Sequence, residues 1–228
     1  MAYDAVVFDL FGTLIDSASA ESLIKMFRDP AACLDCDHDE FMSTWLGIYN
    51  DRATGRLGGV INEIKHVCNL VGVRASDEQV QTVRDLSLDA FREHCRPRQT
   101  VPATLMKLKE MGLKTGLISD CGSEIPDIWA DLELASLLDE TVFSCCEGIT
   151  KPNPGLYNLA CERLGVRAQR CLFVGDGGSR ELTGASAVGM RPVLIRVGYE
   201  GFFDIHRADA KNWDGDTIAD ISEILELL

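Results

Sequence analysis

Four polar residues are read as the ends of the first four strands: Asp9 in Phe8-Asp9-Leu10-Phe11-Gly12-Thr13-Leu14, Ser119 in Ile118-Ser119-Asp120-Cys121-Gly122, Lys151 in Thr150-Lys151-Pro152-Asn153-Pro154, and Asp176 in Val174-Gly175-Asp176-Gly177-Gly178. One Asp after an apolar strand is more often a turn or helix cap than a reacting group. Four such ends converging on one crevice supply two carboxylates, a hydroxyl and a cation, which is equipment for phosphoryl transfer. A carboxylate can attack phosphorus to give an acyl phosphate if a hard divalent cation offsets its repulsion of the phosphate dianion. Mg2+ takes oxygen ligands in octahedral array, commonly one or two protein carboxylates, and Asp9 and Asp176 offer these. Ser119 and Lys151 would hold the remaining phosphoryl oxygens by hydrogen bond and charge.

The elements that must bring these residues together are legible from hydrophobic period. Apolar, partly β-branched runs at 5–8, 113–119, 141–145, 171–174 and 191–197 predict strands. Helical periods lie between them at 101–111, 123–132, 153–164 and 179–188. This alternation predicts parallel βαβ units and an α/β fold with a Rossmann-like parallel sheet, whose strand carboxyl ends form the ligand crevice. Residues 16–96 break the pattern, with helical periods at 21–27, 40–49, 60–71 and 77–95 and no convincing strand. The expected organisation is a Rossmann-like core of residues 1–15 and 97–228 with an inserted all-helical cap domain at 16–96. Leaving after the first strand and returning near Arg96-Pro97-Arg98, the insert is placed to act as a lid.

In order and spacing, the four stretches resemble the motifs of the haloacid dehalogenase (HAD) superfamily over essentially the whole chain. Phe8-Asp9-x-x-Gly12-Thr13-Leu14 resembles the first, Ser119 the second, Lys151-Pro152-x-Pro154 the third, and Gly175-Asp176 with Glu181 the fourth. The resemblance implies that Asp9 is the nucleophile, and that Ser119 and Lys151 bind the transferring group. It implies that Mg2+ is held by Asp9, Asp176, the backbone carbonyl of Phe11 and, through water, Glu181. Thr13 is expected to buttress the Asp9 loop and, with Asp120, to belong to the substrate-binding set. Family caps select substrate with a loop resembling Asp51-Arg52-Ala53-Thr54-Gly55-Arg56-Leu57-Gly58-Gly59, so Arg52 and Arg56 are expected to meet an anionic substrate. A plain helix connection is the competing reading of that stretch.

One position departs from the family's phosphatases, which carry a second Asp two residues after the nucleophile as general acid and base; here it is Phe11. Loss of a positioned acid/base costs roughly 10²–10⁴ in rate, so esters with poor leaving groups should react slowly while activated phosphates still turn over. An aromatic residue there resembles the 2-haloacid dehalogenase branch, in which Asp attacks carbon and no metal is required. That branch replaces the Gly-Asp metal signature, has an Asn beside the second-motif Ser where this chain has Asp120, and uses an early-cap Arg for which only Arg28, Arg52 or Arg56 could substitute. The expected activity is therefore Mg2+-dependent hydrolysis of a small phosphorylated metabolite through an aspartyl-phosphate. A metal-free 2-haloacid dehalogenase and a catalytically weakened binding member are the alternatives.

Composition narrows the partners. With 36 Asp+Glu against 22 Lys+Arg, a net charge of −14 and no basic cluster, the 228-residue chain lacks the surface that nucleic acid or anionic membrane requires, and a small-molecule substrate is expected. No apolar stretch approaches the roughly 18–20 residues of a membrane helix, and residues 1–14 lack the features of a signal peptide. Nine scattered cysteines predict reduced thiols in a cytoplasmic setting. A monomer or homodimer is expected. Cys33-x-x-Cys36 with His38 lacks a second ligand pair for zinc and reads as a solvated Asp-rich loop, while His66, His94 and His206 show no partner spacing. Gly175-x-Gly177-Gly178 invites a dinucleotide reading, but the third glycine would fall at Arg180 and no acid ends the next strand.

Overall fold

The computed structural model describes residues 3–196 and 207–228; Val197, at the end of the last predicted strand, and His206 lie outside them. Strand β1 (Ala5–Phe8) is buried at every position, as its unbroken apolar run requires. A helical stretch follows: α1 (Ala20–Leu23) continues as a wide turn at Ile24–Arg28 and a tight one at Asp29–Cys33, then come α2 (His38–Gly47), α3 (Tyr49–Ala53), α4 (Val60–Leu70) and α5 (Asp77–His94). The chain returns through α6 (Val101–Glu110), β2 (Lys114–Ser119), α7 (Glu124–Ile128), α8 (Glu133–Leu137), β3 (Glu140–Phe143), α9 (Ser144–Glu147), α10 (Pro154–Leu164), β4 (Cys171–Gly175), α11 (Glu181–Ala187), β5 (Arg191–Ile195) and a short β6 (Thr217–Ile218). Among the described residues no helix is long and apolar enough to cross a membrane, and all nine cysteines are free thiols.

The six strands form one sheet in the order β3-β2-β1-β4-β5-β6, parallel throughout. The chain builds outward from β1 in one direction through β2 and β3, then in the other through β4, β5 and β6. The reversal falls at β1 and β4, where open α/β sheets receive ligands. The period-2 alternation of side chains splits the core. Val6, Phe8, Leu172 and Val174 face one way, into a cluster shared with Phe27, Phe41 and Trp45 of the helical stretch, while Ala5, Val7, Cys171 and Phe173 face α10 and α11.

Local chemistry shifts several predicted boundaries. Asp37 caps α2, accepting hydrogen bonds from the backbone N–H groups of Asp39 and Glu40, and the expected helix at 40–49 is instead α2 and α3, parted at Ile48. The strand expected to reach residue 145 ends at Phe143, so Lys151 belongs to a loop beyond α9 and not to a strand end. The helix expected from residue 179 begins at Glu181 because Ser179 and Arg180 hold left-handed backbone angles, φ 49° and 52°. Helix α7 is likewise shorter than the 123–132 pattern, passing into a tight turn at Trp129–Asp131.

The turn after α3 is wedged against the backbone of α9. Gly55 has φ +64°, and a Cβ there would overlap the Cys145 carbonyl oxygen. Gly72, with φ +76°, has open space around it. Gly55→Ala should therefore lower unfolding free energy by about 2 kcal/mol or more, through backbone strain plus overpacking, while Gly72→Ala costs only the strain of about 1 kcal/mol. Urea denaturation of the two variants measures the difference, and equal losses would show that the wedge carries no energy.

Candidate active site

Asp9 is the first residue beyond β1, and its backbone N–H donates to the Val174 carbonyl at 2.9 Å. Asp176 is the first beyond β4. In the β1–β4 pairing Phe8 lies opposite Val174, so Asp9 and Asp176 leave neighbouring strand ends one register step apart, and the turns beyond those ends bring the two carboxylates together. Glu181 joins them from the start of α11, and one carboxylate oxygen from each of the three lies within 4.8 Å of the others. All three side chains are buried, and among the described residues no other such group is close enough to share an ion.

The Lys151 ammonium bridges two of the three, donating to Asp9 Oδ1 at 2.5 Å and Glu181 Oε2 at 2.6 Å. The second Glu181 oxygen accepts from the Gly177 N–H at 3.0 Å, and Tyr157 donates its hydroxyl to the Glu181 carbonyl. Glycine is required at 175 because a Cβ there would overlap the Glu181 carboxylate. Asp176 accepts from the Gly178 N–H at 2.9 Å and from Arg207 Nε at 2.8 Å; Arg207 also donates to Ser17 Oγ at 3.0 Å. Burial pushes the Asp9 carboxyl up, Lys151 pulls it down and the Asp176 charge pushes it up again, leaving it at about 6. Burial and Asp9 raise Glu181 well above the usual carboxylate range against the pull of Lys151. Burial alone would depress the Lys151 ammonium, but Asp9, Glu181 and Asp120 carry it well above its ordinary value.

The other residues singled out from sequence divide between the site and its surroundings. Ser119 closes β2 fully buried, and its hydroxyl has no hydrogen-bond partner among the described residues. Thr13 Oγ1 stands 3.5 Å from Asp9 Oδ2. Asp120 accepts from the Lys151 backbone N–H at 3.0 Å, fastening the lysine loop to the end of β2. Phe11 lines the site and stacks on His94, ring centroids 6.2 Å apart. Arg56 is exposed and paired with Asp51 at 3.2 Å. Arg52 is buried, donating to Glu63 at 3.1 Å and Glu124 at 2.5 Å, with Phe27 and Trp45 rings at 5.2 and 5.3 Å, so its charge is already taken.

Above the carboxylates lies a cavity of about 550 Å³ between the strand ends and the helical stretch. Its apolar lining includes Leu23, Met26, Phe27, Leu46, Phe91 and Ile125, and its polar lining includes Tyr49, Glu124 and Arg207. Sequence reasoning passed over these last three. Tyr49 donates its hydroxyl to the Asp120 carbonyl at 3.2 Å. Glu124 follows Ser119 closely enough that the turn between them was a usable signal, whereas Arg207 sits in a stretch without period or motif.

The family model for haloacid dehalogenase-like hydrolases matches residues 3–189. The chain is a haloacid dehalogenase-like hydrolase. This hydrolase is 27% identical to the N-acetylmuramic acid 6-phosphate phosphatase of Pseudomonas aeruginosa over 228 residues, 96% of this chain and 92% of that one. In fold it is similar to a putative β-phosphoglucomutase from Thermotoga maritima, with a TM-score of 0.67, 19% identity and coverage of 98% and 97% of the two chains. It is also similar to a crystallised dehalogenase, with a TM-score of 0.63, 20% identity and coverage of 99% and 97%. One fold serves both chemistries, so the residues of the site must decide between them.

The balance at Asp9 is directly measurable. In the metal-free hydrolase, ¹³C NMR of labelled aspartate should show one carboxyl titrating near pH 6, assigned by its loss in Asp9→Asn. Asp176→Asn removes a neighbouring negative charge and should move that midpoint down. A midpoint in the ordinary range near 4 in the wild type would contradict the burial-dominated balance.

Proposed function

We propose that this hydrolase is a Mg2+-dependent phosphatase that dephosphorylates a small metabolite through an aspartyl-phosphate on Asp9, with residues 16–96 acting as a cap. The observation that carries the reading is the cluster of three buried carboxylates whose oxygens lie within 4.8 Å of one another at adjacent strand ends. The phosphatase named among its nearly full-length relatives supports a phosphate ester as the substrate class. Hard, negatively charged oxygen donors suit Mg2+, which Asp9, Asp176 and the Phe11 carbonyl would hold directly and Glu181 through water. Bound there, the ion neutralises charge between the nucleophile and the phosphoryl oxygens.

The chain's own residues do the rest. An ionised Asp9 oxygen attacks phosphorus, the new O–P bond forming as the ester P–O bond breaks. The Lys151 ammonium, bonded to Asp9, would bond a phosphoryl oxygen, and the buried Ser119 hydroxyl, without a partner among the described residues, would donate to another. Phe11 can neither protonate the departing alkoxide nor activate water, so leaving groups that are stable as anions are favoured. Water then attacks the acyl phosphate, releasing inorganic phosphate and restoring Asp9.

A second reading, metal-free dehalogenation, draws on Phe11 and on the Arg207 guanidinium bonded to Asp176. The assembled carboxylates weigh against it. Hydrolysis of 4-nitrophenyl phosphate and acetyl phosphate should require Mg2+ and fall by roughly 10³ or more in Asp9→Asn. Phe11→Asp should speed hydrolysis of alkyl phosphates by about 10²–10⁴ and affect the activated esters less. Halide release from 2-chloropropionate without metal, with both phosphates untouched, would overturn the proposal.

A further inference from the structure

Glu124 opens α7 with only 1% of its surface exposed, and it lines the cavity. One carboxylate oxygen accepts from Arg52; the other, Oε2, is buried without a hydrogen-bond partner among the described residues. A buried carboxylate oxygen lacking a donor is costly, and a ligand that brought one would relieve that cost. Gly122, also in the cavity wall, packs against this pair without a side chain, because a Cβ there would overlap Oε2 and lie 2.7 Å from the Arg52 guanidinium.

The charge of this wall points the same way. Arg52 is one cation shared by two carboxylates, Glu63 and Glu124, and the outer oxygen of Glu63 is taken by the Ser123 hydroxyl at 2.8 Å. The triad therefore sets one base against two acids, with its unmatched oxygen on Glu124. Beside it the cavity is lined by Met26, Phe27 and Phe91.

We propose that this wall is a subsite for the leaving group, accepting an apolar-bodied alcohol that carries a second hydrogen-bond donor, a hydroxyl or an ammonium, for Glu124 Oε2, and rejecting one that carries a carboxylate. The assignment of a leaving group rests on the phosphatase reading. Glu124 becomes the specificity residue, and Arg52 is the group that orients it and not the receptor for an anion.

Phosphorus-free probes separate the two ideas. Binding of phenol, 4-(hydroxymethyl)phenol, 4-(aminomethyl)phenol and 4-hydroxybenzoate to wild type and Glu124→Gln is followed by NMR titration, and kcat/KM is measured for the corresponding aryl phosphates. Wild type should bind the two donor-bearing alcohols about tenfold tighter than phenol and the carboxylate more weakly than phenol. Glu124→Gln keeps an acceptor for Arg52 while turning an N–H donor to the cavity, and should erase the preference and improve binding of 4-hydroxybenzoate. Equal binding of all four by the wild type overturns the subsite, whether or not the variant folds. A retained preference among the alcohols with no Mg2+-dependent hydrolysis of phenyl phosphate supports the subsite and overturns the phosphatase reading.

Discussion

Three carboxylates are held together out of water, and the repulsion among them governs the strand ends. At 4.8 Å, with an effective dielectric constant near 20, each pair of charges repels by about 3 kcal/mol. The Lys151 ammonium between Asp9 and Glu181 offsets the largest part, and the structure around it keeps that ammonium in place. Asp120 grips the backbone of the lysine loop, Gly175 yields its side-chain space to Glu181, and Arg207 covers Asp176. Left-handed backbone at Ser179 and Arg180 fits the same pattern, since it lets the chain fold back so that Glu181 reaches the Gly177 N–H.

Among the contacts that join the helical stretch to the rest of the fold, two are unlike in kind. One is apolar: Phe27, Phe41 and Trp45 share a cluster with Phe8, Val174 and Leu117, so the cavity is walled by the same core that stabilises the fold. The other is ionic, with Arg52 of α3 bonded to Glu124 of α7 in a fully buried pair. Buried pairs of this kind add little net stability but are strongly unfavourable to break one-sidedly, so they fix relative position more than they strengthen attachment. The cavity therefore has a defined shape even though much of its lining is aliphatic.

Much of this was legible in residue order. The five longer strands and most helices followed from period, and Asp9 and Asp176 come from the ends of neighbouring parallel strands, one register step apart. Lys151 was assigned to a strand end, but α9 intervenes, and only its tie to Asp120 brings it back. The two arginines of the 51–59 stretch read alike in sequence and differ in the fold. Arg52 is drawn inward by two glutamates distant in the chain, while Arg56 stays in water with Asp51. A pattern of types and spacings does not encode which acids will surround a given base. Arg207 and β6 were not found because neither a single arginine nor a two-residue strand carries a period.

Strand β1 occupies the middle of the sheet, yet both of its neighbours come after the whole helical stretch. Ala5 pairs with Lys114 on one side and with Cys171 on the other. During synthesis this most apolar segment leaves the ribosome ahead of every strand that can cover it, while the helices at residues 20–94 have local contacts to form at once. Vectorial folding thus leaves Asp9 without its neighbours until β4 and α11 have been made, and chemistry can begin only after most of the chain has emerged.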